Sequence, residues 1–137
     1  MNPIEPSGRD TGLEPNLPEV LAEVQAAFEE YERALADNDV RTLDRLFWNH
    51  ECTLRYGTGE NLYGHAEIAA FRAGRNPRGL ARTVGRRSLC SFGRDFAVAN
   101  IEFVRQGDSR VGRQSQTWVR FAEGWRIVAA HVSWMQP

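Results

Sequence analysis

Every one of the 17 basic side chains in this sequence is an arginine. A genome rich in G and C replaces lysine with arginine everywhere, and that accounts for the bias as a whole. A buried arginine is another matter. Its planar fork grips a carboxylate through two parallel hydrogen bonds, so any arginine inside the fold is a candidate anion clamp. Arg55 is the first to ask about. In the run Thr53-Leu54-Arg55-Tyr56, strict alternation puts it on the face opposite Leu54 and Tyr56. Which face looks inward is open in a sheet that can be covered on both sides. If Arg55 is inside, its charge requires a carboxylate from protein or ligand beside it. Arg72, Arg75 and Arg82 are further candidates for a second carboxylate, although arginines near helix C-termini also favour the helix dipole on the surface. Tyr31 falls on an apolar helical stripe, so its ring faces the core and its hydroxyl needs a partner there.

Other chemistry-bearing residues lie late in the chain. Gln114, Gln116 and Trp118 share one strand face, and alternation puts Trp125, Ile127, Ala129, His131 and Ser133 on one face of the last strand. Either face lines a pocket or a subunit interface. Gln116, Trp118, His131 and Ser133 are therefore candidate substrate-binding residues, with a buried structural role the alternative for His131. His50, Glu51 and Cys52 look like metal ligands in a row, but neighbours on an extended segment point to opposite sides, so no metal is expected. GxSxG, a Gly-rich phosphate loop and Cys-His family spacing are all missing from the sequence, which leaves serine or cysteine hydrolase chemistry unsupported and implies no cofactor.

The elements that must position these groups read clearly. Residues 1–16 mix Pro, Gly and polar side chains and predict a loose tail, with one domain over 17–137. From Pro18, apolar residues Val20, Leu21, Val24, Ala27, Phe28, Tyr31 and Leu35 recur at helical spacing. Asp39 can cap a second helix through Leu43, Leu46 and Phe47. A strand at 53–56 and the Gly-rich turn GTGEN follow. A third helix is expected from about His65 to Arg75, stopped by Asn76-Pro77. Runs at 82–92, 96–105, 110–121 and 125–135, separated by turn signals, predict a four-stranded meander.

Bulk properties narrow the function classes. With 42% hydrophobic and 26% charged residues the chain is globular, and a net charge of −1 offers no field for nucleic acid. No apolar run approaches the roughly 20 residues that span a bilayer, so membrane insertion is not expected. Cys52 and Cys90 lie far apart without CxxC spacing and no secretory segment is recognisable, which fits a reducing cytoplasm. The long strands carry enough Val, Ile, Phe and Trp to predict a homodimer through an apolar outer sheet face.

The order helix, helix, strand, helix, four strands, ending in GWRIVAAHVSWM, resembles the nuclear-transport-factor-like superfamily. That likeness implies an α+β, cone-shaped, cystatin-like fold in which a curved antiparallel sheet wraps three helices. Within it, the runs RYGTGE, LYG, FRAGR, FGRDFA and GRQSQTWVRF resemble the AtzH-like family, whose members accompany amidases in bacterial nitrogen catabolism, including cyanuric acid and oxalurate breakdown. The namesake is assigned to converting dicarboxyurea to allophanate with loss of carbon dioxide. Ketosteroid isomerases of the same fold keep an oxyanion-hole tyrosine on the first helix and a catalytic aspartate on the first strand. An ungapped match puts Tyr31 and Arg55 at those two positions. An arginine cannot abstract a proton, so the resemblance implies anion binding and electrostatic stabilisation by Tyr31 and Arg55 in place of isomerisation. The expected ligand is a small anionic substrate. The rival expectation is a non-catalytic module that binds a small ligand or docks on an amidase partner.

Overall fold

The computed structural model describes residues 13–136. Helix α1, Pro18–Ala36, opens on a proline whose fixed φ suits the first turn. It buries Val20, Val24, Phe28, Tyr31, Ala34 and Leu35. It stops where Asn38 turns left-handed at φ 50°, a conformation that asparagine tolerates. Helix α2, Val40–Leu46, is capped as its sequence predicts: the Asp39 carboxylate accepts from the Thr42 N–H at 3.2 Å and the Thr42 hydroxyl at 2.7 Å. Helix α3, His65–Ala73, ends at Gly74, slightly ahead of the stop expected from Asn76-Pro77.

Six strands form one sheet: β1 (Leu54–Tyr56), β2 (Asn61–Tyr63), β3 (Arg82–Phe92), β4 (Phe96–Arg105), β5 (Gly112–Phe121) and β6 (Gly124–Trp134). Their order is β2-β1-β6-β5-β4-β3. The last four make the expected meander. A correction concerns β1, which pairs with β6 in parallel, so the sheet is mixed where a wholly antiparallel one was expected. The GTGEN turn also closes a short hairpin, because Asn61–Tyr63 pairs back on β1.

One sheet face meets the helices and forms the core with them. It presents Ala97, Ala99, Ile101 and Phe103 from β4, Trp118 from β5, and Trp125, Ile127, Ala130 and Val132 from β6. Each such large apolar side chain contributes about 1.5–3 kcal/mol by leaving water. The β6 set does not alternate throughout. Thr117 faces Ala129 while Trp118 faces Ile127, so Val128 is an extra residue, and the bulge flips the phase of everything beyond it. Ala129, His131 and Ser133 therefore do not continue the face of Trp125 and Ile127, as simple alternation had them; Ala130 and Val132 do.

The outer face is less apolar than its composition suggested. Exposed Asn100, Glu102, Arg113, Ser115 and His131 stand among Val104 and the half-buried Val98 and Val119. Of the expected tail, residues 1–16, only the end is described. Its residues 1–12 lie outside the described residues, but Pro15 bridges to Phe92, and Asn16 exchanges two hydrogen bonds with the Ser91 backbone, both 2.9 Å. Among the described residues no helix is long and apolar enough to cross a membrane.

Two buried ion pairs tie the layers. Arg82 on β3 grips Glu32 on α1 with both arms of its fork, at 3.2 and 2.6 Å, while its Nη2 also donates to Gln114 Oε1 at 3.0 Å. Arg72 on α3 pairs with Asp44 on α2. Both guanidiniums have side chains only 3% exposed, and removing a carboxylate would strand a buried charge. Glu32→Ala should therefore cost about 3 kcal/mol in urea denaturation, whereas Glu29→Ala, whose pair with Arg87 is long and exposed, should cost under about 0.5 kcal/mol. Equal effects would mean that the Arg82 pair does not hold the layers. Gly112 makes a second case, because a Cβ there would fall 2.2 Å from the Phe103 ring that covers it. Gly112→Ala should lower the stability by about 1–3 kcal/mol through overpacking, and a wild-type melting temperature would show that the ring yields freely.

Candidate anion-binding site

The parallel β1–β6 register decides which way Arg55 points. Arg55 lies beside Ala130 on one side and Leu62 on the other, and both are buried on the helix-facing side. Its neighbours Leu54 and Tyr56 take the other face. Tyr56 meets exposed His131 there, ring centroids 5.7 Å apart and nearly perpendicular. Inside, the Arg55 guanidinium lies 5.8 Å from the centroid of the Phe71 ring and donates to Glu60 Oε2 at 2.9 Å.

Arg55 lines a cavity of about 190 Å³ with Glu60, Phe71, Arg75, Leu80, Arg105 and Val132 among its walls. This is space for a small metabolite and falls below the roughly 300–1,000 Å³ of pockets that take drug-sized ligands. Arg78 also lines it, so four arginines and one glutamate border the cavity among the described residues. Arg105 is seated on aromatic rings, 5.1 Å from the Trp134 centroid and 5.7 Å from that of Phe103. Burial first, and then the like charges of Arg72 and Arg55, pushes Arg75 down from its ordinary value. Burial and then Arg82 do the same to Arg105. Both shifts mark a place where positive charge is held short of counter-charge.

The hydrogen-bond inventory has the same sign. Among the described residues, the buried side-chain polar atoms without a partner are Arg72 Nε, Arg75 Nε and Nη2, Arg105 Nε, Gln114 Nε2, Gln116 Nε2 and Ser91 Oγ. All but the serine oxygen are nitrogen donors. Buried donors are normally satisfied, so an interior with this surplus has room for acceptors supplied from outside.

Tyr31 approaches the site from α1. It is 5% exposed, and no hydrogen bond to its hydroxyl forms among the described residues. Its ring lies 6.4 Å from that of Phe47, and the phenol is close enough to Arg75 to act on its charge. Arg55 lines the cavity and Tyr31 does not, so the two are related only through Arg75, whose charge both act on. The remaining candidates separate. Arg72 and Arg82 are inside but committed to Asp44 and Glu32. Gln116 and Trp118 are buried against each other, the indole N–H donating to Gln116 Oε1 at 3.1 Å, and neither lines the Arg55 cavity. His131 and Ser133 are corrected to the outer face by the Val128 bulge. Arg105 and Glu60 complete the cavity and were not singled out from sequence; the run RYGTGE was the available signal for Glu60.

Other features do not compete for this chemistry. A larger cavity of about 510 Å³ beside α2 has matched charges, Asp44 and Glu123 against Arg45 and Arg126. Neither Tyr31 nor Arg55 lines it. The His50 ring stacks on Trp48 at 4.0 Å and its Nδ1 accepts from the Cys52 N–H. Among the described residues no group of three His, Cys, Asp or Glu side chains could hold a metal ion.

Comparison with known proteins places this geometry. Residues 14–137 match the AtzH-like family model. No curated protein matches the chain. A crystal structure of a protein of unknown function from Pectobacterium atrosepticum is 54% identical, with TM-score 0.89 over 91% of this chain and 100% of that one. A cystatin-like fold protein from Burkholderia xenovorans is 45% identical, with TM-score 0.88 over 92% of this chain and 100% of that one. At 23% identity and TM-score 0.70, an NTF2-like protein from Novosphingobium aromaticivorans shares the fold over 88% of this chain and 85% of its own. With a family match that runs from the first bridge on β3 to the last residue, the chain belongs to the AtzH-like family.

Proposed function

We propose that the protein is an enzyme that removes carbon dioxide from a small carboxylated nitrogen compound of the carboxyurea type. The observation that carries this reading is the donor surplus: a cavity walled by Arg55, Arg75 and Arg105, with buried guanidinium N–H groups lacking acceptors. A carboxylated urea is small, planar and rich in acceptors, which suits planar guanidinium forks better than a point cation.

In this reading Arg55 holds a carboxylate or the carbonyl oxygen on which negative charge develops, and the Tyr31 hydroxyl delivers a proton to the nitrogen that bears the leaving carboxylate. The C–N bond breaks, its electron pair stays on nitrogen with the new proton, and the carboxylate departs as carbon dioxide. Tyr31 regains its proton from water. Arg75, close to the phenol, stabilises the transient phenolate. An arginine at position 55 offers no base, which argues against carbanion chemistry at a carbon acid.

Tyr31→Phe keeps the ring in its place against Phe47 and removes only the hydroxyl. Steady-state release of carbon dioxide from an N-carboxylated urea should fall by roughly 10²–10³-fold, the usual cost of one lost donor to the reacting group. Arg55→Lys keeps the charge but not the fork, so KM should rise even in this conservative change. Thermal melts of the same preparations should stay near wild type. Activity lost only in step with folded protein would reduce both residues to structural parts. Saturable substrate binding without turnover in the wild type would favour the binding-module reading.

A further inference from the structure

One wall of the cavity is held only loosely by the rest of the fold. Arg75, Asn76, Arg78 and Leu80 all come from the strap 74–81 that links α3 to β3. Its backbone N–H groups bond locally: Gly74 donates to the Ala70 carbonyl at 3.3 Å, Arg75 to the Arg72 carbonyl at 3.2 Å, and Arg78 to Asn76 Oδ1 at 2.9 Å. Among the described residues no backbone hydrogen bond joins the strap to another strand or loop, and the β3–β4 ladder starts only at Arg82. Residues 76–79 are exposed, and Leu80 is the one buried side chain of the strap. Gly79 takes φ 75° with open space where a Cβ would stand. A segment with exposed backbone, a freely turning glycine and one buried anchor moves at low cost in free energy.

Arg78 is the outlying charge of this strap. Its side chain has no ion pair among the described residues, and the charged groups that share the cavity wall with it are Arg55, Arg75, Arg105 and the single carboxylate of Glu60. Three guanidiniums against one carboxylate leave a positive field that pushes a fourth outward. We propose that Arg78 is a further binding residue for the substrate anion, and that the strap closes over the cavity only with an anion inside. The inference rests on the reading that this cavity takes a carboxylated substrate. A bound anion offsets the excess positive charge of the wall and supplies acceptors for the Arg78 fork. It therefore interacts better with the closed arrangement than with the open one, which is the condition for a ligand to shift such an equilibrium. Closure also shields the reacting group from water.

The test measures malonate binding by calorimetry and amide hydrogen exchange by NMR in the wild type, Arg78→Gln and Arg113→Gln, with thermal melts as the folding control. In the wild type, saturating malonate should slow exchange of the amides of 76 and 78–80 by at least about tenfold, and leave the Gly93-Arg94-Asp95 turn, at the far end of β3, within about twofold. Arg78→Gln should weaken malonate binding by about tenfold and abolish the slowing. Arg113→Gln removes the same charge from the outer face and should change the affinity by less than about twofold. Binding without slowing in the wild type, or slowing that survives Arg78→Gln, overturns the proposal. So does equal slowing at the strap and the turn, the mark of general stabilisation by a ligand. An equal loss of affinity in both variants overturns it as well, because net charge alone then explains the effect. Failure of malonate to bind the wild type overturns it together with the carboxylate reading of the cavity. Selective slowing in a protein that never releases carbon dioxide supports the closing strap and removes the enzymatic reading alone.

Discussion

The constraint on which the rest of this structure depends is the burial of guanidinium charge between helices and sheet. An unpaired buried charge costs several kcal/mol, so each interior arginine must be given a carboxylate or left partly wet. Arg82 and Arg72 receive Glu32 and Asp44, and those pairs double as the ties that fix α1 on β3 and α3 on α2. Arg55 receives Glu60 through a turn. Arg75 and Arg105 line the cavity with buried nitrogens unpartnered. The cavity is thus where the pairing scheme of the interior runs out of carboxylates, and the proposal that it takes an anion rests on the same arithmetic that organises the core.

Aromatic faces do part of the work that carboxylates do elsewhere. Phe103 and Trp134 stand 5.5 Å apart on neighbouring parts of the sheet, and three arginines rest on them: Arg82 on Phe103, Arg110 on Trp134, and Arg105 over both. A ring face attracts a cation without neutralising it. Such a shelf holds Arg105 in place while leaving its charge available to the cavity. Gly112 is the condition for the shelf, because the Phe103 ring lies directly over it.

How legible was this in the sequence? The helices and the meander were, because apolar period and turn chemistry act locally: Asp39 caps α2 through Thr42, and Val24, Phe28 and Tyr31 share a stripe whatever they pack against. The opposite holds for the direction of Arg55, which depends on a parallel pairing with a strand some 75 residues later in the chain. Alternation within β1 separated Arg55 from Leu54 and Tyr56 correctly but could not say which side was dry. In β6 alternation itself failed, since the Val128 bulge is recorded in the partner strand's register and not in the residues of β6. Glu60 was hidden for another reason. A glutamate after two glycines reads as a solvent-facing turn residue until Gly57 is seen to make room for it against Arg55.

A first strand that directs one side chain into the cavity between sheet and helices is a property of the fold, and the residue at that position sets the chemistry. A carboxylate there can serve as a base. With arginine there the cavity cannot take a proton from a carbon acid at that position, but it can hold negative charge in place and leave proton delivery to a neutral hydroxyl. Tyr31 suits that division of labour: it is buried on α1 with a hydroxyl that no described residue hydrogen-bonds, within electrostatic reach of Arg75. Were a carboxylate its neighbour, the phenol's hydrogen would already be spent on a protein acceptor. Because the charge that acts with it is a cation, the hydroxyl hydrogen stays unspent on a protein acceptor.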